Sequence, residues 1–168
     1  NSEYEIYIGF YGFFVSSPVH YLNATTTPDV KKLTITGKVE PAEEGYLATT
    51  SVLYVSSALT LGSNVEFKNL EVAVLDGAGN CSINLAGHTL TLSGEAVYIH
   101  SKISGKSENS RVILTTVQDT YFYGGVDIYR LVVNSGAPVF AVDSNIKYCN
   151  SYDIYTLNGA DVNVEINE

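Results

Sequence analysis

The side chains of this sequence best suited to chemistry are aromatic and acidic ones that recur in step. The runs "VEFKNL", "VYIHSKI", "VDIYRLVV" and "YDIYTLNG", starting at Val65, Val97, Val126 and Tyr152, superpose. Alternation sends Phe67, Ile99, Ile128 and Ile154 inward as one column. It sends Glu66, Tyr98, Asp127 and Asp153 outward, with Lys68, His100, Tyr129 and Tyr155 beside them. Tyrosine rings cover the apolar faces of sugars, and carboxylates accept hydrogen bonds from their hydroxyls. Tyr98, His100, Asp127, Tyr129, Asp153 and Tyr155 are therefore the candidate ligand-binding residues, with carbohydrate as the candidate ligand. The plainer reading is that a tyrosine ladder only stabilises a sheet face. On rungs about 4.8 Å apart, Asp127 and Asp153 repel unless a lysine, Arg130, solvent or a cation compensates.

Such a ladder needs a repeat to position it. Four segments align, beginning at Val52, Cys81, Arg111 and Pro138, at spacings of 29, 30 and 27 residues. Each holds short alternating runs closed by Gly, Asn or Ser; in the second these are "SINLAG", "HTLTLSG" and "VYIHSKISG". One such coil cannot bury its apolar side chains, but stacked coils can. The pattern predicts an all-β, parallel β-helix of about four to five coils over residues 33–168. A β-sandwich or jelly roll is the alternative, because short strands with Gly turns suit it too. Residues 1–32, with the aromatic stretch "YEIYIGFYGFFV", do not fit the repeat. They read as a cap over the open end of the core, or else as an exposed aromatic contact patch.

The stretch "LDGAGNCSINLAGHTLTL", with "LTLGSNVEFKNLEV" before it, resembles the right-handed parallel β-helix repeats of the pectin-lyase-like type, found in bacterial surface and carbohydrate-active proteins, and a right-handed coil is what that resemblance implies here. The likeness covers roughly residues 33 to 166 and bears on fold more than on activity. Enzymes of that type imply two chemistries. The polygalacturonase pattern is missing, since there is no Asp-Asp pair, His88 sits in "AGHTL" and Arg130 in "YRLVV". A pectate lyase uses an arginine base with calcium held by acidic residues, for which Arg130 near Asp127 and Asp153 is the one foothold. A calcium-assisted polysaccharide lyase is thus the alternative to a non-catalytic module.

No other catalytic or metal motif stands out. "GKSENS" lacks the first glycine and the helix of a phosphate loop and reads as a solvated corner. His20, His88 and His100 are scattered, and Cys81 and Cys149 belong to no CxxC or Cys/His cluster. No catalytic residue, metal or cofactor is expected. The two cysteines fall two coils apart, about 10 Å along the axis, too far for a disulfide, and Cys149 is expected to be buried.

The 168 residues suffice for one domain with a sizeable core, and 45% apolar against 16% charged residues fits a folded chain. A net charge of -9 argues against a nucleic-acid partner. The dozen apolar residues near the start are too few to span a bilayer, so no direct membrane insertion is expected. The chain opens on Asn1 and contains no Met, which reads as a piece of a longer protein with further domains. Asn23 and Asn80 match the glycan-acceptor pattern. The expected function is a non-catalytic module of an extracellular or cell-surface protein. It serves as an adhesive or spacer element whose partner is a carbohydrate or a host or cell-surface protein.

Overall fold

The computed structural model describes residues 2–8, 20–22, 25–40, 49–55, 58–74, 81–96 and 98–168. They form nineteen short strands and, among the described residues, no helix. The architecture is a parallel β-solenoid of about five turns. The sandwich alternative is set aside by the pairing: among the described residues every strand pair is parallel except Val39–Glu40, which runs against Thr49–Val55.

Each turn of chain visits three faces. The first stacks Glu3–Tyr7, Lys32–Thr36, Asn64–Lys68, Thr89–Gly94 and Arg111–Thr116. The second is a separate sheet of eight strands that includes Thr49–Val55, Leu70–Val74, Tyr98–Ile99, Thr120–Phe122, Pro138–Phe140 and Tyr155–Thr156. The third stacks Leu59–Thr60, Ser82–Asn84 and Lys102–Gly105. The ten-residue strand Val126–Ser135 then fuses the third face with the first. Val126 to Ile128 pair with Ile103 to Gly105, while Arg130 onward pairs with Arg111 onward. Tyr129 alone stands where the preceding coil spends the exposed corner of residues 106–109 and the buried Ser110.

The register corrects the repeat length. Leu33, Val65, Leu90, Val112, Leu131 and Cys149 are successive partners, so the steps are 32, 25, 22, 19 and 18 residues. The coils shorten along the chain, and no constant period near thirty exists. The proposed inward column is corrected with it. Phe67 pairs with Ile35 and Leu92 on the first face; Ile99 pairs with Val72 and Phe122 on the second; Ile128 pairs with Gly105 and Ile146 where the faces fuse. These three are buried as expected, but Ile154 is only half-buried and lies outside any strand. Period-2 alternation marks which side chains point inward on every face, yet it is identical on all three, so it cannot tell one face from another.

The core is the continuous stack of these inward columns. Leu53, Val72, Ile99, Phe122 and Phe140 line the second face, with the Phe122 and Phe140 rings stacked at 5.1 Å. Burying each such side chain contributes about 1.5–3 kcal/mol. Corners are closed by small polar groups. Asn69 adopts a left-handed φ of 56° between two strands of one coil, and its Oδ1 accepts the Glu95 N–H of the next at 3.0 Å. Cys149 is buried in the column of Leu131; Cys81 is half-buried and precedes Ser82–Asn84 on another face, and both are free.

Glu3–Tyr7 adds to the first face as its outermost rung, and His20–Leu22 does the same for the second. Residues 9–19 of the expected cap, and both glycan-acceptor asparagines, lie outside the described residues.

Candidate functional site

On the second face, outward positions flank each buried residue. Tyr98 and His100 flank Ile99, and one rung on Tyr121 and Tyr123 flank Phe122. Tyr98 pairs directly with Tyr121. The ladder continues past the strand ends, since the His100 N–H donates to Val72 O and the Tyr123 N–H to Ile99 O, each at 2.9 Å. Four aromatic rings therefore form a two-by-two array on the outside of the solenoid.

The rings lie close to parallel. Tyr98 and Tyr123 are 6.1 Å apart with 24° between planes, and Tyr121 and Tyr123 are 6.0 Å apart with 16°. His100 stacks on Tyr123 at 5.0 Å and 14°, while Tyr98 is tilted by 33° to Tyr121. Glu71, on the rung before Tyr98, meets His100 Nε2 at 2.9 Å. Tyr98 and Tyr123 remain 39% and 37% exposed, so the array has open ring area for a ligand. Partial burial, with Tyr98, Tyr121 and Glu71 nearby, pushes the Tyr123 phenol above its ordinary range. The column runs on from Tyr121 through Val139 to the exposed Tyr155.

The six candidate residues do not form one ladder. Tyr98, His100 and Tyr155 share the second face. Asp127 and Tyr129 lie on the fused strand Val126–Ser135. Asp153 is exposed in the turn before Tyr155–Thr156, its N–H donating to Ser151 Oγ at 3.1 Å. The expected Asp127–Asp153 juxtaposition is corrected: Asp127 has Ser104 and Asn145 as its partners, and its carboxylate meets Lys106 Nζ at 3.0 Å. Asp127 and Asp153 therefore need no compensation for mutual repulsion.

Around Asp127 a second group gathers. Tyr129 and Tyr148 pack at 5.2 Å, Lys147 Nζ lies 5.1 Å over the Tyr129 ring, and the Arg130 guanidinium lies 4.9 Å over Tyr148. Arg130 also donates to Glu168 Oε2 at 2.6 Å. Among the described residues, no group of three or more His, Cys, Asp or Glu is arranged to hold a metal, and no helix is long and apolar enough to cross a membrane.

Glu71, Tyr121 and Tyr123 were not singled out from sequence. The signal was there: "YIH" at 98–100 and "YFY" at 121–123 share one out-in-out pattern, 23 residues apart. Aligning at a constant period near thirty hid it. No known protein family, curated protein or solved structure matches the chain.

Proposed function

We propose that this chain is a non-catalytic binding module of a secreted or cell-surface protein, and that it holds carbohydrate against the aromatic array of the second face. The observation that carries the reading is the partly exposed set of Tyr98, Tyr121 and Tyr123, in which Tyr123 stacks on both of the others, with the His100–Glu71 pair at its edge. Rings on successive rungs offer apolar platforms to successive sugars, and the flanking carboxylate accepts hydroxyl hydrogen bonds. The net charge of -9 favours neutral glycans over acidic ones, and glycans on a host or cell surface are the natural partners. Affinity with pectin-lyase-like repeats of bacterial surface proteins is part of the same proposal, as is an extracellular setting.

A calcium-assisted lyase has less support. The Arg130 guanidinium is held by Glu168 and Tyr148, and Asp127 and Asp153 do not converge on it. Calorimetric titration of the full chain with neutral tetrasaccharides of glucose, xylose, mannose and N-acetylglucosamine tests the binding reading. At least one should bind, and Tyr121→Ala with Tyr123→Ala should weaken it at least tenfold. Binding untouched by that double variant sinks the assignment of the site. Release of unsaturated uronides from polygalacturonate in calcium would restore the lyase.

A further inference from the structure

Beyond the tyrosine array, the fused strand carries a hollow that the proposed function does not use. It has a volume of about 430 Å³ and is lined by Lys106, Asp127, Tyr129, Asn145, Lys147 and Glu165. That is within the size of pockets that hold small ligands, about 300–1,000 Å³. Three successive rungs build it: Asp127 pairs with Asn145, which pairs with Asn163, and Tyr129, Lys147 and Glu165 follow two residues on in each strand. A second hollow of about 390 Å³ shares Asn145 and continues past Asn163 to Asp143 and Asp161. Two carboxylates and no cation line this second hollow, which sets it apart from the first.

We propose that the first hollow, a groove across these three rungs, is a second saccharide subsite, selective for neutral, hydroxyl-rich sugars. Charge decides the class. Two cations and two carboxylates line the first hollow, so their charges cancel and neither a strongly anionic nor a strongly cationic ligand is favoured. Asp127 is already matched by Lys106, and Lys147 sits over the Tyr129 ring, which leaves no cluster of like charge in the first hollow for an ion. What remains is an alternation of acceptors and donors. Carboxylates accept from hydroxyls, ammonium groups donate to them, and the Asn145 amide does both. Tyr129 supplies one aromatic wall for an apolar sugar face.

The groove is separate from the tyrosine array. Between Tyr123 and Val126 the chain turns a tight corner at Gly124 and Gly125, where a Cβ on Gly124 would come within 2.5 Å of the His100 carbonyl oxygen. The two surfaces thus lie on different faces and can be tested independently.

Backbone amide NMR shifts of the full chain, titrated with the same four neutral tetrasaccharides and with trigalacturonate, provide the test. With at least one neutral probe, amides of Asp127 to Tyr129 and Asn145 to Lys147 should shift. Those shifts should persist in Tyr121→Ala, and their midpoint should rise at least tenfold in Tyr129→Ala and in Asn145→Ala, both exchanged at partly exposed positions. No groove shift with any neutral probe, or a stronger response to trigalacturonate, overturns the subsite. Failure of the tyrosine-array reading shows separately, as unmoved amides at Tyr98 to His100 and Tyr121 to Tyr123.

Discussion

The His100 imidazole lies over the Tyr123 phenol, 5.0 Å between centroids and 14° between planes, on neighbouring coils. Tyr123 also ionises late: partial burial first, then the neighbouring phenols and Glu71, disfavour its phenolate. A raised pKa means the fold favours the neutral phenol. That stabilisation is present below the ordinary phenol range, about 10, and is lost as pH rises through the elevated value. Denaturation measured along an alkaline series should show a falling limb that is shallower in Tyr123→Phe. Superposable limbs would count against a raised Tyr123 phenol.

Acid acts on the first face, at Glu66. Burial opposes ionisation of Glu66, but hydrogen bonds from Lys32 and from Ser93 Oγ, the latter at 2.7 Å, outweigh it and hold its carboxyl below the usual range. A lowered pKa gives stability that is present above the unfolded-state value and lost as pH falls through the folded one. Glu66→Gln should flatten the stability profile below about pH 4.3. Glu66→Ala, which strands Lys32 and Ser93, should cost about 1–2 kcal/mol at neutral pH. Equal acid slopes in wild type and Glu66→Gln would rule this out.

The corner at Asn69 makes a third expectation. Gly94 has a φ of 61°, and a Cβ there would lie 2.0 Å from Asn69 Oδ1. Gly94→Ala should therefore lose about 1–2 kcal/mol to left-handed backbone strain, with a further loss as the Asn69 to Glu95 hydrogen bond is displaced. Urea denaturation measures it. A variant as stable as wild type would mean the corner is built differently.

Much of the fold was legible, and the reason is physical. Short alternating runs closed by turn residues cannot make a core alone, so stacking followed from them directly, and Phe67, Ile99 and Ile128 point inward as alternation requires. What was not legible was the face. "VYIHSKI" reads as one strand, yet the chain turns at His100 and the buried Ser101, putting Tyr98–Ile99 and Lys102–Gly105 in different sheets. Corner length also varies from coil to coil. A constant period therefore drew Asp127 and Asp153 together falsely and left Tyr121 and Tyr123 unmatched to Tyr98 and His100.

The corrected register can be measured by truncation. Ile99 is fully buried, so Ile99→Ala should cost about 2–5 kcal/mol. Ile154, only half-buried in a turn, should cost about 1 kcal/mol on truncation to Ala. Had both belonged to one inward column, the two losses would be alike. Comparable losses would restore that column.

The cysteines give the last expectation. Cys149 is fully buried; burial pushes its thiol up, only partly offset by backbone hydrogen bonding at Ser151 and Asn150. The thiolate is the reactive form, so Cys149 should resist alkylation in the folded protein at neutral pH. Cys81 is half-buried and should react first. Under denaturing, non-reducing conditions two thiols per chain should be counted, because the two residues sit on different faces and in different coils. Rapid native labelling of Cys149 would contradict its place beneath the Leu131 rung. A count of zero thiols in a monomeric chain would require Cys81 and Cys149 to meet, which this register does not permit.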